Sequence, residues 1–105
     1  MTAIETEVGK AKRGDGYSEF LRVPTMSVGV YVLPAGGVDR QTPHTEDEIY
    51  YVIRGRGQLR HGEHESPATP GEVLFVPARR AHHFHSITEE LVLLVVFAPA
   101  EQPSS

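Results

Sequence analysis

A chain of 105 residues with a formal net charge of −4 has room for one modest core, and its acidic balance argues against the basic track that a nucleic-acid backbone requires. It contains no cysteine, which excludes disulfides and thiolate ligation, so any bound metal must be held by nitrogen and oxygen. The N-terminus lacks an apolar core behind a basic start, and the longest apolar run, Leu91 to Ala98, falls far short of the roughly 20 residues that span a bilayer; the expectation is a cytoplasmic protein with neither membrane nor nucleic acid as a partner.

Met1 to Gly16 mixes charge and glycine without a clear period and reads as a tail or a weak edge strand, with Arg13-Gly14-Asp15 as a turn. Tyr17 to Val23 reads as a strand stopped by Pro24, and Met26 to Leu33 as a second, with Met26, Val28, Val30 and Val32 on one face. Pro34 to Gly37 is a turn. Glu48 to Arg54 is rich in aromatic and β-branched residues and suits a pleated surface, until Gly55-Arg56-Gly57 breaks it before Gln58 to Arg60. His61 to His64 and Pro67 to Gly71 read as turns, Glu72 to Val76 as a strand, Pro77 to Ala81 as a loop and His82 to Ser86 as a short strand. Leu91 to Phe97 is the last strand, and Ala100 to Ser105 a polar tail.

No window shows sustained helical spacing, and short strands recur between glycine and proline, so the class is all-β, a small sandwich or barrel. One domain spans 1–105, with its core at about 17–99. The run L-V-L-L-V-V-F at 91–97 is apolar on both faces, which requires its outer face to be covered. A second subunit, giving a homodimer, is the simplest cover; the alternative is the N-terminal segment folded over it.

His44, Glu48 and His82 are the candidate metal ligands. On a continuous strand at about 3.3 Å per residue, His44 and Glu48 would start roughly 13 Å apart, beyond the reach of one ion with bonds near 2.0 to 2.2 Å. Thr45-Glu46-Asp47 must therefore turn or bulge to bring them together. His82, from a non-adjacent strand, completes a set of two imidazoles and one carboxylate, which suits non-haem iron and also accommodates manganese, nickel or zinc. Three protein ligands leave open positions for a chelating small molecule. A fourth ligand could come from Gln41 or Thr42, although strand parity points Gln41 to the other face unless the chain bulges near Pro43. Tyr31 and Tyr50 are candidate hydrogen-bond donors or substrate contacts, Phe84 shares parity with His82 and would line the interior, and Arg79 with Arg80 would meet an anionic substrate at the mouth. His61, His64, His83 and His85 read as exposed or edge histidines.

These residues carry a resemblance. Gly36, His44, Glu48 and Gly55 stand in the register of the first cupin signature: glycine, five residues, histidine, one residue, histidine, three or four residues, glutamate, six residues, glycine. Thr42 occupies the first histidine position. Gly71, Pro77 and His82 match the second signature, with Arg79 where a turn glycine is usual and Ser86 where an asparagine is usual. The chain thus resembles a small single-domain cupin, which implies a double-stranded jelly-roll β-barrel and commonly a dimer. By the same resemblance the reaction would be oxygenation, as in quercetin-type dioxygenases, or isomerisation or decarboxylation. The missing first histidine and the lack of an identifiable general base favour the alternative, a non-enzymatic module that binds or senses a small molecule; a degenerate barrel used only for dimerisation ranks third.

Overall fold

The computed structural model describes residues 1–102; the last three residues of the expected C-terminal tail lie outside them. One helix, α1 (Ile4–Arg13), precedes six strands: β1 (Tyr17–Val23), β2 (Met26–Leu33), β3 (Asp47–His61), β4 (His64–Ala68), β5 (Val73–Val76) and β6 (His82–Ala98). All pair antiparallel in one sheet ordered β1-β2-β6-β3-β4, with β5 also on β3. The sheet curls into a jelly-roll barrel because its two longest strands bend. β3 pairs β5 through Glu48–Tyr51 and β4 through Gly57–His61, while β6 follows it nearly end to end.

The bend replaces the break expected at Gly55-Arg56-Gly57. The ladder between β3 and β6 shifts register three times between Val52 and Gln58, and Gly55 takes φ +99 there, so the glycines mark bulges within a continuous strand. His82 to Ser86 and Leu91 to Phe97 are likewise one strand, bent where Ser86 adopts φ 51. Inside, Leu91, Leu93, Val95 and Phe97 meet Tyr50, Val52, Leu59, Leu74 and Phe84 in the main core, as the alternation of β6 requires.

The N-terminal segment is a helix, neither a tail nor an edge strand. Ile4, Val8 and Ala11 form its apolar stripe, Glu5 and Glu7 lie in its first turn, and Lys10, Lys12 and Arg13 in its last, the charge order a helix dipole favours. Ten residues with a central glycine make a marginal helix alone. Packing stabilises it: Val8 and Ala11 join Val30, Val32 and Val92 in a second cluster outside the barrel. The N-terminal segment thus covers the Val92 end of the apolar outer face. Further along, Leu94 and Val96 are half-buried, beside the exposed Ile49, Tyr51, Val73 and Phe75 of β3 and β5. No helix among the described residues is long and apolar enough to cross a membrane.

Glu7 fixes the helix to β1. Its buried carboxylate accepts hydrogen bonds from Ser18 Oγ and Thr2 Oγ1, both at 2.7 Å, and Lys10 Nζ lies 3.5 Å away. Those hydroxyl bonds, then the Lys10 charge, outweigh burial and hold its pKa below the ordinary 4.5. Below that value the unfolded chain takes up the proton first, so Glu7 stabilises the fold above it and the contribution is lost as pH falls through the depressed pKa. Urea unfolding at a series of pH values will show wild type losing more stability below pH 4.5 than Glu7→Gln; parallel profiles would contradict the assignment.

Candidate metal centre

Two loops bring the site together. Residues 34–46 leave the sheet between β2 and β3, and Thr45-Glu46 bends the chain into β3. The loop before β6 is stapled to them: Arg79 N–H donates to the His44 carbonyl at 2.6 Å, and Ala78 N–H donates to Asp47 Oδ1 at 2.9 Å. Arg79 adopts φ 65, so an arginine accepts the left-handed conformation that a turn glycine would take. His82 consequently enters the barrel in register. The nitrogens and carboxylate oxygens that His44, Glu48 and His82 offer lie within 4.8 Å of one another, near the spacing of atoms that share one ion with bonds of about 2.0 to 2.2 Å.

Each donor is aimed by a neighbour. His82 Nδ1 lies 2.9 Å from the Arg80 carbonyl, which only accepts, so Nδ1 carries the hydrogen and Nε2 faces the centre. That Nε2 is 3.1 Å from Glu48 Oε1 and 3.1 Å from the Tyr50 hydroxyl. Burial works against the charged form of His82, but the close Glu48 carboxylate and the bond to the Arg80 carbonyl raise its pKa overall. Gln41 also faces inward. Its Nε2 donates to Asp39 Oδ2 at 2.7 Å, which turns Oε1 toward the Tyr50 hydroxyl at 2.9 Å and His44 Nε2 at 3.4 Å. Asp39 is held in turn by the Tyr31 hydroxyl at 2.7 Å and Phe84 N–H at 2.8 Å.

The donor set fits a divalent cation. Glu48 is 2% exposed, and apart from the charge contact with His82, neither of its oxygens has a hydrogen-bond partner among the described residues. A buried carboxylate left so poorly compensated costs several kcal/mol. A cation between it, two imidazoles and an amide oxygen removes that cost.

A cavity of about 210 Å³ opens over these groups, lined by Tyr17, Tyr31, Gln41, His44, Tyr50 and Glu101 among others. Burial, then the Glu48 charge, pushes the Tyr50 pKa far up, and burial does the same for Tyr17, so both phenols stay protonated donors. Tyr17 Oη is buried without a hydrogen-bond partner among the described residues. Burial, then the Glu48 and Glu46 charges, pushes the Glu101 carboxyl up to about 7.

Several expectations change. Thr42 is exposed and lies outside this cavity, so the fourth candidate donor is Gln41; strand parity misled because the chain there is not in a strand. Phe84 backs the site without lining it, its ring edge-on to Tyr50 at 4.9 Å and 1% exposed. The Arg79 side chain is exposed and does not line the cavity, its backbone alone touching the His44 loop. Tyr31 and Tyr50 line it. His64 and His83 are exposed, while His61 and His85 sit half-buried against Ser66 and Glu65. Among the described residues, His44, Glu48 and His82 form the one group of histidines and carboxylates placed to hold a metal ion. Asp39, Tyr17 and Glu101 are site residues that sequence reasoning missed; no local pattern marks them.

Fold and site together define a cupin. The family model described as a cupin domain matches residues 29–97, from β2 to β6, and the chain belongs to that family. An uncharacterized protein of Streptomyces coelicolor is 45% identical over 97 residues, 92% of each chain. Among solved structures, TT1209 from Thermus thermophilus superposes with a TM-score of 0.76 at 24% identity, covering 95% of this chain and 97% of its own. KdgF from a Halomonas species gives 0.73 at 18% identity, covering 82% and 81%, and a cupin 2 conserved barrel domain protein from Rhodopseudomonas palustris 0.69 at 22%, covering 83% and 62%. These three likenesses bear on fold alone.

Proposed function

We propose that this cupin holds one divalent metal ion on His44, Glu48 and His82, with the Gln41 amide oxygen as a fourth protein ligand, and is an enzyme acting on a small molecule that chelates the ion through two oxygens. The observation that carries the reading is the buried Glu48 carboxylate, short of hydrogen bonds and faced by two imidazoles. Two imidazoles, a carboxylate and an amide oxygen suit iron, manganese, nickel or zinc. When bound, such an ion supplies a Lewis acid that polarises a coordinated oxygen, or, if redox-active, a site for oxygenation. The chain's own groups do the rest: Tyr17 and Tyr31 line the cavity, Tyr50 holds the Gln41 oxygen, and Val95 and Phe97 supply an apolar wall that limits water. The candidate reactions are oxygenation, isomerisation or decarboxylation.

Two measurements test this. Gln41→Ala should weaken binding of added metal by at least about tenfold, whereas Thr42→Ala should leave it unchanged; equal behaviour of the two contradicts the fourth ligand. Protein loaded in turn with iron, manganese, nickel or zinc should turn over a member of a panel of small diketones, flavonols and sugar phosphates. Stabilisation by a panel compound without turnover in any loaded form contradicts the enzymatic half and favours a binding or sensing module.

A further inference from the structure

The C-terminal segment beyond β6 is anchored through its main chain. Ala100 N–H reaches the Pro24 carbonyl at 3.4 Å, Glu101 N–H donates to Ser27 Oγ at 2.9 Å, Arg22 Nη2 donates to the Glu101 carbonyl at 2.7 Å, and Gln102 N–H reaches Glu46 Oε2 at 3.3 Å. Ser27 and Glu46, two of the anchors, are buried. These bonds fix the backbone of residues 100–102 and with it the place from which the Glu101 side chain projects. That place is the cavity wall, where Glu101 Oε2 lies 3.4 Å from His44 Nδ1. The other ring nitrogen, Nε2, faces Gln41 Oε1 at 3.4 Å, and the ring packs edge-on against Phe97 with centroids 4.9 Å apart.

We infer that Glu101 is the positioning residue for His44: its carboxylate accepts the Nδ1 hydrogen, which fixes the ring's orientation and leaves the Nε2 lone pair directed at the metal. The role rests on the metal-binding reading above. It makes the two imidazoles equivalent in design. His82 is oriented through Nδ1 by a backbone carbonyl of its own loop, whereas among the described residues Nδ1 of His44 meets no carbonyl and faces instead the carboxylate of Glu101. Imidazole ligands generally donate their second ring hydrogen to such a partner, and losing it costs about 10- to 100-fold in metal affinity. Withdrawal of residues 100–102 would remove the partner of His44 without touching a metal ligand.

Two readouts on the full-length chain test the role. In metal-free protein at pH 8, where Gln41 Oε1 competes for the ring hydrogen through Nε2, long-range nitrogen–proton correlation spectra should show a population of the Nδ1–H tautomer of His44 in wild type and in Glu101→Gln, which keeps an acceptor oxygen, and Nε2–H alone in Glu101→Ala. Titration with Co²⁺ should give a Kd raised about 10- to 100-fold in Glu101→Ala, with Glu101→Gln nearer wild type. Wild-type tautomer and wild-type Kd in Glu101→Ala overturn the positioning role and leave the metal site standing. Failure of wild type itself to bind Co²⁺ overturns the metal reading and this role with it.

Discussion

Glu48→Gln will make the metal-free protein harder to unfold and will abolish its response to metal. The two effects have opposite signs because they arise from one group. In the absence of metal, Glu48 keeps a carboxylate 2% exposed, with no hydrogen-bond partner among the described residues beyond its charge contact with His82 Nε2 at 3.1 Å. A glutamine has nearly the same shape, carries no charge, and its amide N–H can donate to that nitrogen. At a pH where His82 is neutral, removing a poorly compensated buried charge in this way stabilises a fold by about 1 to 2 kcal/mol, or several degrees in Tm for a domain of this size. With metal the order reverses. Wild type gains about 2.7 kcal/mol when free metal exceeds its Kd 100-fold, and the variant gains almost nothing because an amide is a weak substitute for the anionic ligand. A variant that is destabilised without metal, or that retains the metal-induced shift, contradicts the assignment of Glu48.

The second large effect concerns the bend. Gly55→Ala should cost about 3 to 5 kcal/mol, a large fraction of the roughly 5 to 15 kcal/mol that holds a domain folded. A Cβ there would overlap the Glu90 carbonyl oxygen and come within 2.6 Å of the Glu90 carbonyl carbon and 2.7 Å of Leu91 Cα. These are backbone atoms of β6, so relief requires parting the two long strands beside the fully buried Leu91. The φ of +99 adds strain of its own. Gly36→Ala separates the two contributions: its φ is +71, but nothing lies within 4 Å of the added carbon, so only the conformational cost of about 1 to 2 kcal/mol remains. Urea unfolding of both variants checks this, and equal losses would mean that the close approach of β3 and β6 at Gly55 is unimportant.

What could be read from the sequence followed the range of each signal. The strands from Tyr17 to Leu33 were legible because alternation and proline stops are local, and His44, Glu48 and His82 because two spaced signatures constrain them together. Gln41 was nearly missed because parity was applied to a stretch that never enters the sheet. Arg79 is placed at the mouth by its loop position and Phe84 in the interior by parity with His82, but one contributes its backbone and the other stands behind Tyr50. Helix α1 was hidden by its brevity: ten residues with Gly9 inside carry a stripe that means little until the Val30, Val32 and Val92 surface is there to receive it. Glu101 was beyond reach, since its partner His44 is remote in sequence and depends on where the chain end crosses the β1–β2 turn. The continuity of β3 through Gly55-Arg56-Gly57 was hidden for a related reason: glycine marks a bulge and a break alike, and only the partner strand decides between them.

The most direct test of the central claim is elemental analysis by plasma mass spectrometry on protein purified without a histidine tag, comparing wild type with Glu48→Gln. Wild type should carry close to one equivalent of iron, manganese, nickel or zinc and the variant almost none. Empty wild-type protein that also shows no thermal shift with any of these added ions would contradict the metal centre.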